Sequence, residues 1–183
     1  MVLEIVQYGH PALRQKGVPV TKIDAKIRKL AEDMLETMDD ANGVGLAAQQ
    51  VGVPIQLAVV DVAGVEDRPS TLSIDGKEVN IDEEMPLILL NPELDLGSDR
   101  EEGTEGCLSF PEITAEISRS KHVKVRATNL DGEEMVFEAT GLLARALQHE
   151  VDHLNGILFI DRMKSATRTA LASKLKRMQK EGA

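Results

Sequence analysis

The sequence predicts an α+β fold, in which mixed or antiparallel strands surround a central helix and further helices lie near both termini. Three observations support this class. Apolar residues recur every three or four positions in three segments, short runs rich in branched residues lie between them, and two Asp-Gly pairs interrupt alternating segments. The resulting order of helix, strands, helix, short strand and helix is typical of α+β proteins.

The first helix is predicted to start after Asp24, whose side chain can cap it, and to end at Asn42 and Gly43. Its apolar positions follow the helical period: Ile27, Leu30, Ala31, Met34, Leu35 and Met38. Two strands are then predicted at residues 55–60 and 87–90, because both runs are apolar, rich in branched residues and bounded by proline.

The two Asp-Gly pairs predict β-hairpins. Alternating residues flank the pair at 75–76, within a segment of about residues 64–85 that we expect to form an exposed hairpin. Strands at 122–127 and 135–139 flank the second pair at 131–132. The middle of the chain is therefore predicted to be rich in β-structure.

Two helices and a short strand are predicted for the last part of the chain. Residues 141–154 have helical spacing, residues 157–160 resemble a strand, and about residues 165–181 form the last helix. This last helix keeps leucine and methionine on one side and basic residues elsewhere.

The composition is that of an ordinary globular chain, with 42% hydrophobic and 28% charged residues among 183. We therefore expect one domain spanning residues 1–183. No apolar run approaches the roughly 18 residues that a membrane span needs, and residues 1–10 do not resemble a signal peptide. The only cysteine, Cys107, has no partner for an internal disulfide, which favours a reducing compartment.

The net charge of −10 argues against general affinity for DNA or for an anionic membrane, since both need clustered basic residues. Residues 162–183 depart from this balance, with seven basic residues and one acidic residue. Such a basic helix is either a solvated surface or a contact for an anionic partner, for example the RNA of the ribosome.

The motif that indicates chemistry is an H-E-x-x-H pattern, formed by His149, Glu150 and His153 inside the predicted central helix. Residues four apart project from one helix face, so both imidazoles can bind one metal ion while Glu150 serves as a general base. A catalytic site of this kind needs a third protein ligand and one open position. The other two histidines, His10 and His122, lie in a turn and at a strand start, and we interpret neither as a ligand.

Cys107 is the remaining candidate for the third ligand, although a lone cysteine is more often a small buried residue. Its neighbours resemble a known family. The sequence is similar to peptide deformylases at three separated motifs: Gly-Val-Gly-Leu-Ala-Ala-Gln-Gln at 43–50, Glu-Gly-Cys-Leu-Ser at 105–109 and Gln-His-Glu-Val-Asp-His at 148–153. Residues 10–14 and 156–161 extend the resemblance over nearly the whole chain.

The resemblance implies a metallohydrolase that removes the N-formyl group of formylmethionine from newly made polypeptides and releases formate. It implies that Cys107, His149 and His153 bind one catalytic divalent metal ion. Ferrous iron is the metal that the resemblance implies, whereas the Cys/His/His ligand set by itself also suits Zn²⁺, Co²⁺ or Ni²⁺.

The resemblance also implies that Glu150 is the general acid and base and that Gln50 helps to bind the formyl oxygen. Negative charge collects on that oxygen during the reaction, so hydrogen-bond donors are needed around it. We expect the carboxamide of Gln50 and the backbone N–H of Leu108 to be these donors.

A methionine substrate needs an apolar slot beside the metal, and Val44, Leu142 and Ala146 are candidates to line it or ordinary core residues. We expect the substrate backbone to add as an extra strand beside Gly43, Val44 and Gly45, because peptides often dock on exposed sheet edges.

Two arginines near the motifs complete the predictions. The aliphatic part of Arg145 is expected to border the slot while its charged end reaches water. We expect Arg119 to pair with Glu105 and hold the cysteine loop, although an exposed pair would contribute little stability.

Two other functions compete with deformylation. A metallopeptidase also uses H-E-x-x-H for amide hydrolysis, but the motifs around Cys107 and Gln50 disfavour it. A non-catalytic metal-binding or ribosome-associated module would use the basic last helix to contact RNA phosphates. The expected location is the cytoplasm of a bacterium, with a processed organelle form as the alternative.

Overall fold

The computed structural model describes all 183 residues and has the predicted α+β class. Its α-helices are α1 (Ala25–Asp40), α2 (Ile81–Glu84), α3 (Gly141–Leu154) and α4 (Ser165–Gly182). Its strands are β1 (Gly45–Ala47), β2 (Leu57–Val60), β3 (Ser70–Ile74), β4 (Lys77–Glu78), β5 (Leu87–Leu96), β6 (Arg100–Cys107), β7 (Phe110–Ser120), β8 (His122–Thr128) and β9 (Glu134–Thr140).

The strands form one large sheet and one separate hairpin. The large sheet has the order β1-β2-β5-β8-β9-β3-β4, and every neighbouring pair is antiparallel. Strands β6 and β7 pair only with each other. Because β1 is the first strand of the large sheet, one of its edges has no neighbouring strand.

Helix α3 lies in the main core. Eleven of its 14 residues are buried, and Leu143, Ala144 and Leu147 join strand residues such as Leu89 and Val125 in one hydrophobic cluster. Amphipathic α1 covers β1 and β2, while α4 packs on the hairpin of β6 and β7. Burial of this apolar area stabilises the fold and leaves α3 in contact with both sheets.

The start of α3 is held by the segment that leads into β3. The backbone N–H of Leu142 donates to the carbonyl of Pro69 at 3.3 Å, and that of Leu143 donates to Ser70 Oγ at 2.8 Å. Free N–H groups at a helix start need such partners. Residues 69–70 therefore serve as the cap of α3.

The end of α3 is also held by hydrogen bonds. The carbonyl of Leu154 accepts from the N–H of Gly17 at 2.8 Å and from the side-chain amides of Gln49 at 3.2 Å and Gln56 at 2.9 Å. Three donors from separate segments thus meet at one carbonyl oxygen.

Both predicted hairpins form. Strands β8 and β9 make the second, and β3 and β4 make the first, with Asp75 and Gly76 at positive φ in its turn. The first hairpin is largely exposed as expected, since its turn and β4 are exposed and Leu72 is the one buried residue of 64–85. Strand β3 also pairs with β9, which was not predicted. The segment therefore extends the large sheet.

One predicted strand is wrong and one hairpin escaped prediction. Residues 157–160 do not form a strand, because Asp161 accepts from the N–H of Leu158 and closes a 3-10 turn, Phe159–Arg162. The hairpin of β6 and β7 was not predicted, although alternate residues of β7 are apolar and buried: Ile113, Ala115 and Ile117.

The basic C-terminal segment forms α4 as predicted, and only Leu175 of this helix is fully buried. No helix combines the length and apolar character that crossing a bilayer requires.

Candidate active site

Helix α3 brings two imidazoles and a carboxylate together inside the protein. His149, Glu150 and His153 are 7%, 5% and 1% exposed. The rings of the two histidines are one helical turn apart, with centroids separated by 5.0 Å. The H-E-x-x-H motif therefore faces the interior rather than water.

The thiol of Cys107 lies next to the turn between β6 and β7. Cys107 is the last residue of β6 and pairs with Phe110, so that Leu108 and Ser109 form the turn. A register shift follows Gly106, and such irregularities redirect side chains. The Cys107 Sγ lies 3.4 Å from His153 Nε2.

Cys107, His149 and His153 each offer one ligand atom, and these atoms all lie within 4.8 Å of one another. The structure thus brings the three predicted metal ligands together. The other two histidines are elsewhere: His10 Nδ1 accepts from the N–H of Ala12, and His122 is exposed.

Buried charges fix the hairpin relative to α3. Arg119 of β7 donates to both carboxylate oxygens of Glu105 at 2.8 and 2.9 Å and to Asp152 of α3 at 2.6 Å. Glu105 in turn contacts His149 Nδ1 at 2.9 Å. The predicted pair of Arg119 and Glu105 therefore exists, and its burial makes loss of either partner more costly than at a surface.

Arg145 strengthens this connection in a way that the sequence did not indicate. Its guanidinium does not reach water but donates to Glu105, to the carbonyl of Ile117 and to that of Glu101, at 2.8–3.0 Å. The prediction of a solvated end is wrong because Glu105 supplies a buried anion. Gly103 leaves room for it, since a Cβ there would lie 2.9 Å from the guanidinium.

Burial and neighbouring groups shift the pKa values of three ionisable side chains in this pocket. Burial disfavours ionisation of Glu105, but hydrogen bonds from Arg119 and His149 outweigh it and hold the pKa of Glu105 well below its usual range. Burial also disfavours the charged form of His149, yet its contacts with Cys107 and Glu105 raise its pKa. Burial and the neighbouring His149 lower the pKa of His153.

Glu150 is a carboxylate without a partner. Its Oε1 is buried and makes no hydrogen bond. Burial raises the pKa of Glu150 to about 7, although the nearby His149 acts in the opposite direction. A group with such a pKa can both accept and return a proton near neutrality.

Gly45 of the edge strand allows Glu150 to occupy this position. A Cβ at residue 45 would lie 2.5 Å from Glu150 Oε2. A close approach of backbone to carboxylate therefore requires glycine here.

We expect Gly45→Ala to lower kcat by about 10- to 100-fold, because the Glu150 carboxylate must shift and small displacements of reacting groups have effects of this size. Formate release from formyl-Met-Ala-Ser measures the change, with metal content and thermal unfolding determined on the same sample. Wild-type turnover would contradict the assigned contact.

Gln50 is buried beside the thiol. Its Oε1 accepts from the N–H of Ala47 at 3.0 Å, which fixes the orientation of the amide. Its Nε2 lies 3.2 Å from Ser109 Oγ and 3.6 Å from Cys107 Sγ. A donor group is thus held next to the candidate metal ligands.

A cleft of about 490 Å³ opens onto these residues. Its lining includes every residue predicted to act on the substrate: Val44, Gly45, Gln50, Leu108, Leu142, Ala146 and Glu150. Gly45 of the edge strand β1 also lines this cleft, a position at which a peptide strand could be added. A larger groove of about 1040 Å³ lies elsewhere and contains none of Cys107, His149 and His153.

The donor set fits a divalent transition metal. One thiol and two imidazoles give three ligands, which leaves a position for water, as in catalytic sites. The contact of His149 Nδ1 with Glu105 leaves Nε2 of that ring as the ligand atom, an arrangement common around metal-binding histidines. The unpaired oxygen of Glu150 lies beside them.

Comparisons with known proteins point to one family. Residues 2–169 match the family model for polypeptide deformylase. The chain is 46% identical over 180 residues to a peptide deformylase of Methylacidiphilum infernorum, covering 98% of this chain and 94% of the relative.

Solved structures are similar to this chain as well. A peptide deformylase from Thermotoga maritima aligns with a TM-score of 0.77 at 41% identity, over 90% of this chain and 99% of that chain. One from Ehrlichia chaffeensis, in complex with actinonin, aligns with a TM-score of 0.83 at 36% identity, over 96% of both chains. This chain therefore belongs to the polypeptide deformylase family.

Proposed function

We propose that Cys107, His149 and His153 form the metal centre at which this chain removes the formyl group from N-formylmethionyl peptides. As a family member the chain is a metal-dependent hydrolase of N-terminal processing in protein biosynthesis. The observation that carries the residue assignment is the convergence of one thiol, two imidazoles and the unpaired Glu150 carboxylate in one cleft.

Cys107, His149 and His153 would hold a divalent ion, and such an ion would supply Lewis acidity for the activation of water and of the formyl group. Neighbouring side chains support the metal ligand His149. Glu105 orients its ring, and Arg119 and Arg145 hold Glu105 in place.

Glu150 moves the proton in the proposed mechanism. Its unpaired oxygen accepts a proton from the attacking water and then donates it to the departing amine of the peptide. The pKa of about 7 suits both transfers. Because Gly45 admits the carboxylate to the cleft, the proton stays close to the reacting atoms.

Gln50 and Leu108 stabilise the negative charge that develops on the formyl oxygen. The Nε2 of Gln50 faces the cleft because Ala47 fixes the other end of the amide. The backbone N–H of Leu108, in the turn after Cys107, is the second donor.

We expect Gln50→Ala to lower kcat by about two to three orders of magnitude, the usual effect of losing an oxyanion donor. Single-turnover formate release at saturating peptide separates this loss from weaker binding. An unchanged rate would remove Gln50 from the mechanism.

The methionine side chain occupies a slot lined by Val44, Leu142 and Ala146, and the peptide backbone pairs with β1 at Gly45. The slot is apolar where these side chains meet, which suits an unbranched thioether.

The experiment that tests this function incubates anaerobically prepared protein with one of two peptides, either formyl-Met-Ala-Ser or the unformylated peptide of the same sequence. Formate release and metal content are measured together, because Fe²⁺ beside a thiolate is sensitive to oxidation. Release of formate without cleavage of internal peptide bonds supports deformylation. Internal cleavage would favour a metallopeptidase.

Ferrous iron is proposed as the native metal, with Zn²⁺, Ni²⁺ or Co²⁺ as ions that the same ligands accept. We further propose that residues 1–183 act as one catalytic domain in a bacterial cytoplasm, or in an organelle after processing. The basic face of α4 is proposed to contact the ribosome, whose RNA offers complementary charge.

A further inference from the structure

Arg68 lies at one end of the cleft, in the segment that joins β2 to β3. It lines both the 490 Å³ cleft and an adjoining groove of about 740 Å³. The backbone beside it is fixed, since Pro69 accepts from the N–H of Leu142 and Ser70 accepts from that of Leu143. The start of α3 thus positions Arg68 next to Leu142, a wall of the methionine slot.

The other cationic side chain that lines the cleft is already engaged. Arg145 donates to Glu105 and to two backbone carbonyls. Arg68 is half-buried, and its guanidinium has no hydrogen-bond or ion-pair partner within the protein. A planar group with five N–H donors and no acceptor at the mouth of a cleft is suited to a carboxylate.

The acidic residues nearest to Arg68 in sequence do not supply a carboxylate partner for it. Glu66 and Asp67 are exposed and do not line the cleft. Glu112 lines the cleft from the hairpin of β6 and β7, but it makes no ion pair with Arg68. None of the acidic residues that line the adjoining groove forms an ion pair with Arg68 either: Glu101, Glu102 and Glu116. The guanidinium of Arg68 is therefore free to bind a carboxylate of the substrate.

We propose that Arg68 forms a carboxylate-binding subsite that favours an acidic third residue in the formylated peptide. This inference rests on the proposed function and adds a selectivity to it. Side chains alternate between the two faces of an extended strand, so the third side chain lies on the same face as the first. With methionine in the slot beside Leu142, the proposal places the third side chain near Arg68, which lines the same cleft.

The test uses peptides with an amidated C-terminus, so that no terminal carboxylate imitates the side chain. Formyl-Met-Ala-Asp-amide is compared with formyl-Met-Ala-Asn-amide, and formyl-Met-Asp-Ala-amide with formyl-Met-Asn-Ala-amide. We expect kcat/KM to be about three- to fivefold higher for aspartate at position three and about equal for the pair that differs at position two. The preference should fall in about 0.5 M salt, where charges are screened.

Arg68→Ala should reduce the aspartate-to-asparagine ratio at position three to about one, and Arg68→Lys should keep part of it because the charge remains. Arg126→Ala is the matched control, since Arg126 is an exposed arginine paired with Glu134 on the large sheet. An aspartate preference that persists in Arg68→Ala, or that is absent in the wild type, would overturn the proposal.

Binding separates this inference from the proposed function. The deformylated products Met-Ala-Asp-amide and Met-Ala-Asn-amide are titrated calorimetrically into metal-loaded wild-type protein and Arg68→Ala. Failure to release formate would contradict the proposed function alone. Equal affinities of the wild type for both products would contradict the role of Arg68 alone.

Discussion

Replacing Glu150 with glutamine is expected to lower kcat by about 100-fold or more while leaving the metal bound. Glutamine has nearly the same shape but cannot take up a proton, and general acid–base catalysis contributes about 10²- to 10⁴-fold. The effect should be on kcat rather than KM, because the group acts on the proton and does not line the methionine slot. Formate release under anaerobic conditions, with metal analysis of the same sample, measures it.

Glu133→Gln is the control for this change, since Glu133 is an exposed glutamate in the turn between β8 and β9. It should match the wild type in activity and in metal content. If Glu150→Gln instead lost the metal, the carboxylate would have a role in ligation, and if it kept full turnover, another group would be the base.

Replacing Cys107 with serine is expected to cause the largest loss of metal. A hydroxyl remains protonated where a thiol ionises, so the site loses its only anionic ligand and its softest donor. Loss of a side chain that only hydrogen-bonds to a metal ligand lowers metal affinity by about 10- to 100-fold. Loss of Cys107, itself a ligand, should lower the metal affinity further. Activity should fall in parallel.

Cobalt substitution provides an independent measurement of this prediction. A thiolate bound to Co²⁺ gives a charge-transfer absorption that a hydroxyl does not, so the near-ultraviolet band should be absent in Cys107→Ser. Thermal unfolding of the metal-free proteins controls for folding. Equal metal affinity in both proteins would show that Cys107 is an ordinary buried residue beside the two histidines.

Local sequence rules predicted the three long helices and most strands, whereas the short helix α2 was not predicted and begins at Ile81, where the second strand of the first hairpin was expected. The cap at Asp24 forms, with its side chain accepting from the N–H of Ile27 at 3.0 Å, and α3 has the predicted bounds. Both Asp-Gly turns lie where expected. These elements were predictable because caps, turn residues and apolar periodicity act over a few neighbouring positions.

Features that depend on distant contacts were predicted less well. The pairing of β3 with β9, more than 60 residues away in sequence, was not predicted. Such pairing cannot be derived from the periodicity of one segment.

The candidate site shows the same division. The motifs indicated Cys107, His149 and His153, and the structure brings their ligand atoms together. The buried position of Arg145 was missed, because a charged side chain on a helix is usually exposed and the anion that receives it, Glu105, lies 40 residues earlier. The one feature of the sequence that fits the buried arginine is the glycine at position 103, which leaves room for its guanidinium.

The three donors at the Leu154 carbonyl and the cap formed by Pro69 and Ser70 have a consequence for ligand recognition. With both ends of α3 anchored, the conformational entropy of the helix that carries His149 and Glu150 is already lost when the protein folds. A peptide or an inhibitor therefore meets a preorganised surface, and little of its interaction energy is spent on ordering the protein. Affinity in this cleft should follow how well a rigid ligand matches it, since the helix offers little induced fit.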